Sequence, residues 1–409
     1  MKNLIGSCMF AQSGGPTAVI NASCAGVFTE ALKQKNITSV YGVIHGIKGV
    51  LNEDFCDIGK EDLKEIEFLK YTPAAALGSV RYKLNDFNIC DTDYKKIFEV
   101  FKKYDVRYFF YNGGNDSMDT CQKIYEYSKK TGYEINVIGV PKTIDNDLTS
   151  TDHCPGYGSA AKFIATAVME INRDAYIYDS PLVVIIEIMG RNAGWLTASA
   201  ALSNISGCGA DLIYLPEIPF DNGKFLYDVR SAADRNGGKC IVAVSEGIKY
   251  PDGSYVSDQK YLTDVFGHCQ LGGVGNFLKR LIIENLGVKC KSVELNILQR
   301  CASHIASQTD IEESFEAGKQ AVISAVSGET GKMVVYKRKS NFPYDIDYAT
   351  SDLSEVANKE KTIPLSWITC NGTNLSHEFT DYAFPLIQGE TKQPKENGLP
   401  RFSKLRFLK

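Results

Sequence analysis

The chain has 409 residues, 44% of them apolar and 23% charged, which is enough for two or three domains with a sizeable core. A net charge of −4 leaves no basic footprint for nucleic acid, and no apolar run approaches the length of a membrane span. Twelve cysteines are scattered without a Cys-x-x-Cys pair, which removes zinc-ligand and thioredoxin-type readings and fits a reducing cytosol. The stretch Met1–Ser7 has too little apolar length to read as a signal peptide.

Leu4–Phe10 reads as a first strand, running into Gln12-Ser13-Gly14-Gly15-Pro16-Thr17 and then a helical start at Ala18–Ala22. Strand, glycine turn, helix is the arrangement that points backbone N–H groups at an anion. It is neither a P-loop, since no Gly-Lys-Ser/Thr follows, nor a dinucleotide fingerprint, since the Gly-x-Gly-x-x-Gly spacing is absent. Ala75–Arg81 is a small-residue loop ending in Arg81, a side chain that is either solvated or clamps phosphate bidentately. The aromatic strand Arg107–Tyr111 delivers Asn112-Gly113-Gly114-Asn115-Asp116-Ser117, with a helix from about Met118 to Lys129. In that turn the polar residues serve either as N-caps or as oxygen ligands.

Val137–Val140 is a short β-branched run, so it reads as a buried strand, and Pro141-Lys142-Thr143-Ile144-Asp145-Asn146-Asp147 is the loop at its carboxyl end. Ligands bind at that end in open α/β sheets. Two carboxylates at i and i+2 repel, so at least one needs a metal, a donor or a proton. Lys142, Thr143, Asp145 and Asp147 are the parts that phosphoryl transfer needs: a cation, a base and oxygen acceptors for Mg2+. The loop by itself is equally compatible with a surface turn capped by Asp and Asn.

Further along, Ala161, Ile164, Val168 and Ile171 share one helical face. The strand Leu182–Ile188 ends in Met189-Gly190-Arg191-Asn192-Ala193-Gly194, before a helix from Trp195 to Leu202. Cys240–Ser245 is a strand ending in Glu246-Gly247, Asn276–Glu284 a helix, and Ile305–Ser324 an Ala-rich helix. From about Tyr336 the chain reads as polar and irregular. Strands alternating with helices predict an α/β fold with mainly parallel sheets, whose strand ends bring distant residues to common edges.

Gly14-Gly15, Leu77-Gly78-Ser79-Val80-Arg81, Gly113-Gly114-Asn115-Asp116-Ser117, Thr143-Ile144-Asp145-Asn146-Asp147, Met189-Gly190-Arg191 and Glu246-Gly247, in this order, resemble the phosphofructokinase family. The resemblance runs from residue 14 to residue 300, most of the chain; the third-last and second-last of these motifs are specific together, and the glycine pairs add little. It implies two Rossmann-like parallel-sheet domains with the active site between them. Residues 1–155, with a returning segment near 300–350, would form the phosphoryl-donor domain. Residues 156–299 would form the sugar-phosphate domain, and an irregular 351–409 stretch would pack across both.

The resemblance also implies the branch and the site. ATP-using members carry Gly where this chain has Asp116 and Lys142, so the chain resembles the pyrophosphate-using branch. A carboxylate at Asp116 fills and repels the space of a nucleotide's α-phosphate, and the Lys142 ammonium neutralises a compact pyrophosphate. Asp145 would take the proton from the 1-hydroxyl of fructose 6-phosphate, with Asp147 assisting. Lys142 and Arg81 would stabilise the transferring phosphoryl group, and Gly14 and Gly15 would let the backbone approach pyrophosphate. Thr143, Met189, Gly190, Arg191 and Glu246 would hold the sugar, and Arg300 its 6-phosphate.

Mg2+ is the implied cofactor. Its family position, often Asp, is Asn115 here, a neutral amide that coordinates without contributing charge. Leu182 replaces an Arg that reaches a neighbour's sugar phosphate in the allosteric ATP enzymes, and Ile297 replaces a His or Tyr; Lys291 stands where a second such Arg does. These departures favour a cytoplasmic homodimer over a tetramer, with Lys291 a cation offered to the partner subunit's sugar phosphate. The alternatives are an ATP-dependent kinase, which Asp116 and Lys142 disfavour, and a non-catalytic sugar-phosphate-binding subunit, which only Asn115 favours. Sedoheptulose 7-phosphate stays open as a second substrate.

Overall fold

The computed structural model describes residues 4–257 and 272–406. Its strands are β1 (Gly6–Gln12), β2 (Ile37–Val43), β3 (Phe55–Asp57), β4 (Val106–Gly113), β5 (Asn136–Pro141), β6 (Leu182–Ile188), β7 (Leu212–Tyr214), β8 (Lys239–Ser245), β9 (Cys290–Glu294), β10 (Lys332–Asn341) and β11 (Tyr344–Asp352), with four two-residue strands nearer the C-terminus. They form a seven-stranded sheet in the order β11-β10-β5-β4-β1-β2-β3 and a four-stranded sheet in the order β7-β8-β6-β9. The larger sheet is parallel from β2 through β10, with antiparallel β3 and β11 at its edges; the smaller is parallel throughout. This is the expected α/β class with two mainly parallel sheets.

The apolar runs are long because helices cover both faces of each sheet. Along β1, Cys8 and Phe10 enter one core, with helices Ile20–Ala31 and Gln308–Val326, while Met9 and Ala11 enter the opposite core, with Thr92–Lys103 and Asn115–Thr131. Along β6, Val183 and Ile185 face one core and Val184, Ile186 and Ile188 the other. Every side chain of such a strand is buried, so alternation vanishes from the sequence and a continuous apolar run remains.

Three sequence readings need correction. The chain is not irregular from Tyr336: β10 and β11 form an antiparallel hairpin that completes the larger sheet. β11 alternates half-buried with exposed residues because it is an edge strand solvated on one face, so it lacks an apolar run. The helix begun at Trp195 is α-helical only to Ala198 and continues as a 3-10 helix over Ser199–Ser206. The helix Thr92–Lys103 and the strand Ile37–Val43 lie outside the predicted elements.

The C-terminal stretch contains the helix His377–Ala383 and anchors in both halves. Phe379 and Leu386 join the smaller sheet's core, and Leu353, Val356 and Leu405 join the cores of the larger one. Among the described residues no helix is long and apolar enough to cross a membrane, and the described cysteines are all unpaired.

Candidate active site

The carboxyl ends of β1, β4 and β5 and those of β6 and β8 border one cleft of about 650 Å3. Gly14, Gly15, Arg81, Asn115, Asp116, Lys142, Thr143, Asp145, Asp147, Met189, Gly190, Arg191, Glu246 and Arg300 all line it. Lys291 does not: it stands half-exposed on β9, 3.8 Å from Asp174.

The glycine turn after β1 is positioned by buried amides. Gln12 donates to Asn21 at 2.9 Å, and Asn21 donates to the carbonyls of Thr72 (2.9 Å) and Ala74 (2.6 Å). Gln12 and Asn21 in turn accept the N–H groups of Leu77 and Ala76, so the loop carrying Arg81 is pinned to the first helix. Ser79 donates to the Gly14 carbonyl at 2.6 Å, bringing Arg81 to the same wall. Gly14 has φ +76°, and a Cβ there would sit 3.0 Å from the Lys142 ammonium; one on Gly15 would lie 3.2 Å from the Arg300 guanidinium. A side chain at either position would occupy the space over which these two cations are aimed.

The loop after β5 is held on both sides. The Lys142 N–H bonds the Gly113 carbonyl at 3.1 Å and the Thr143 N–H the Pro155 carbonyl at 3.2 Å. Thr143 Oγ1 accepts the Asp145 N–H at 3.1 Å, closing a tight turn that presents both carboxylates. Asn146 takes the left-handed conformation at φ +54° and turns away from the cleft. Its amide donates to the Tyr382 hydroxyl (2.8 Å) and accepts from the Cys154 N–H (2.9 Å). Of the Asp-Asn-Asp triplet, the middle residue is scaffold.

Charge in the cleft is tightly coupled. Lys142 is buried and donates to the Gly15 carbonyl at 2.7 Å. Burial pulls its pKa down to about 8, against the attraction of Asp145 and Asp147. Asp145 and Asp147 are half-buried at the cleft wall. Burial pushes the Asp145 carboxyl above the usual range, reinforced by Glu246 and opposed by Lys142, Arg191 and Arg300. Asp147 is raised by burial, then by Asp145 and Glu360. Glu246 is also raised by burial, and accepts the Gly190 N–H at 3.4 Å.

On the opposite wall, Ser245 donates to the Gly190 carbonyl at 2.5 Å, and Gln299 accepts the Met189 N–H at 3.3 Å, fixing the turn that carries Arg191 beside Arg300. The buried Nε atoms of Arg191 and Arg300 have no hydrogen-bond partner among the described residues. Two unsatisfied buried guanidinium donors in one cleft suit an oxyanion.

The donor set also fits Mg2+. Among the described residues no group of three or more His, Cys, Asp or Glu could hold a metal by itself. Mg2+ is usually bound by one or two carboxylates together with substrate phosphates and water. Asn115, Asp145 and Asp147, all facing the cleft, are the oxygens that could supply the protein's share.

The cleft contains residues that the sequence reading missed, among them Lys83, Asn192, Asn358 and Glu360. Asn192 follows directly on Met-Gly-Arg and could have been included with it. Asn358 and Glu360 carry no local signature.

Fold and cleft together define a two-sheet α/β enzyme of the phosphotransferase class, with its candidate site bordered by both sheets. The chain belongs to the phosphofructokinase family, whose model matches residues 7–322. It is 43% identical over 403 residues to the pyrophosphate–fructose 6-phosphate 1-phosphotransferase of Halomonas elongata, covering 98% of this chain and 96% of that protein. It is 42% identical over 400 residues to the enzyme of the same name from Methylococcus capsulatus, covering 97% and 95%. The crystal structure of the pyrophosphate-dependent phosphofructokinase from Nitrosospira multiformis superposes with a TM-score of 0.90 at 41% identity, covering 98% of this chain and 97% of that one.

Proposed function

We propose that this protein transfers a phosphoryl group reversibly from pyrophosphate to the 1-hydroxyl of D-fructose 6-phosphate, giving fructose 1,6-bisphosphate and phosphate. The observation that carries the reading is the donor end of the cleft. The Lys142 ammonium lies against Gly14 and Gly15, and Asp116 stands in the first turn of the neighbouring helix. Compact pyrophosphate gains from the first feature and avoids the second; a nucleotide's α-phosphate would meet the carboxylate.

In this reading the larger sheet carries the donor end and the smaller sheet the sugar end. Arg191 and Arg300 hold the sugar phosphate through their unsatisfied donors, with Glu246, Met189, Gly190 and Thr143 along the sugar. Asp145 accepts the 1-hydroxyl proton as that oxygen attacks the near phosphorus; the bridging P–O bond breaks and phosphate leaves. Lys142 and Arg81 offset charge on the transferring group, which is the main catalytic task in this chemistry. Mg2+, which Asn115 and Asp147 would hold, would supply charge neutralisation at the donor. We assign the protein to the cytoplasm as a homodimer, with Lys291 offered to the partner's sugar phosphate.

The test is donor choice. With fructose 6-phosphate and Mg2+, pyrophosphate should support turnover and ATP little or none, and Asp116→Gly should raise the ATP-to-pyrophosphate ratio of kcat/KM. A preference of the wild-type protein for ATP would remove the reading. A second test concerns the sugar end. Arg300→Ala should raise the KM for fructose 6-phosphate far more than that for pyrophosphate, because a charge-assisted contact to the 6-phosphate is lost. An equal rise in both would take Arg300 out of that role.

A further inference from the structure

Residues 353–363 run along the cleft, which Asn358 and Glu360 line, and lie beyond the part of the chain that the family model matches. The segment is anchored at one end by buried Leu353 and Val356 and at the other by buried Ile363. Between them it touches three parts of the site. Asn358 donates to the Asp119 carboxylate at 3.1 Å. The Lys361 N–H bonds the Asp147 carbonyl at 2.7 Å. Asn192 donates to both oxygens of Glu360, at 3.2 Å each. The far end is tied in as well: the Lys361 carbonyl accepts the Trp195 indole N–H at 2.9 Å, and Glu217 Oε1 accepts both the Ile363 and the Gly194 N–H. The strap therefore runs from the donor-side helix, over the catalytic loop, to the Arg191 turn.

We propose that this strap is a second determinant of donor choice: Asn358 closes the cleft where a nucleoside attached to the donor phosphates would leave it. The inference rests on the pyrophosphate reading above. Its geometry is separate from that of Asp116. Asp116 and Asp119 are three apart on the helix Asn115–Thr131 and so share a face. Asp116 occupies the first turn of that helix, and Asn358 is latched to Asp119 three residues further along the same face. A third phosphoryl group meets Asp116; only a nucleoside beyond it meets Asn358. Glu360 lines the same cleft on the side of the Arg191 turn, held by Asn192.

The separation can be measured with three donors: the Mg2+ salts of pyrophosphate, tripolyphosphate and ATP. Asp116→Gly alone should admit tripolyphosphate more readily than ATP. Adding Asn358→Gly should then raise kcat/KM for ATP relative to tripolyphosphate by roughly tenfold, as a removed steric block discriminates only against the ligand that meets it. Asn358 has φ +59°, so glycine fits its backbone without strain. Asp119→Ala in the Asp116→Gly chain releases the latch from the helix side with the strap sequence intact, and should move the same ratio in the same direction. It decides the matter if the Asn358 variant does not fold. An ATP-to-tripolyphosphate ratio unchanged by both substitutions overturns the strap proposal. That failure is distinct from failure of the donor reading, which would appear as wild-type protein unable to use pyrophosphate.

Discussion

Asp145→Asn should fold, bind fructose 6-phosphate and lose turnover by roughly 10²–10⁴-fold, the range for loss of a positioned general base. The substitution keeps the shape of the side chain and the backbone bond from its N–H to Thr143 Oγ1. It removes the acceptor that could take a proton from the sugar hydroxyl. The wild-type pH profile bears on the same group. Burial and Glu246 hold the Asp145 carboxyl above the ordinary range, so its basic form is lost as pH falls through that raised value. The acid limb of kcat/KM should therefore lie above the pH expected of an ordinary aspartate. Near-normal turnover in a folded Asn variant would take Asp145 out of the base role.

Lys142→Met should act in opposite directions on catalysis and stability. Loss of a preorganised charge at the donor should reduce the pyrophosphate reaction by at least about 10²-fold, as for removal of a single transition-state donor. The folded protein without substrate should gain stability at pH 7. Lys142 has a pKa of about 8 in the fold against a usual 10.5, so the unfolded chain binds more protons between those values. Stability then rises with pH across that window, and the destabilisation is fully present below about pH 8. Its size is on the order of 3 kcal/mol; Met avoids the desolvation and gives up the bond to the Gly15 carbonyl, so the net gain is smaller. Urea denaturation at pH 7 and at pH 10.5 checks this. The variant should be the more stable at pH 7, and the gap should narrow at the higher pH. A variant less stable at both would contradict the assignment of Lys142 as a strained, substrate-directed cation.

Such opposition is what a site kept for function produces: Lys142, Arg191 and Arg300 are buried or half-buried cations whose partners in the fold are incomplete. The local scaffold shows the reverse. Asn146, Gln12 and Asn21 are buried polar groups with their bonds made, and they position loops without facing the cleft.

The buried strands and the loops that follow them were legible in the sequence because both obey local rules. A run such as Leu182–Ile188 is apolar throughout since helices cover both of its faces, and chemistry-bearing residues collect at the carboxyl ends of such strands. Asp145, Lys142, Gly14, Gly15, Arg191 and Glu246 each sit in a short segment whose composition identifies it, so their convergence could be anticipated. Tertiary structure alone decided the rest. β11 is solvated on one side and lacks an apolar run, so only its pairing with β10, which itself pairs with β5, defines it. The inward or outward sense of Asn146 depends on Tyr382, which is 236 residues away. Asn358 and Glu360 enter the site because anchors at Leu353, Val356 and Ile363 draw an otherwise unmarked segment along the cleft. Their position is set by bonds to Asp119 and Asn192. Bonds over such separations in the chain leave no periodicity or spacing to read, because the closure that forms them is made by the packed cores and not by the residues themselves.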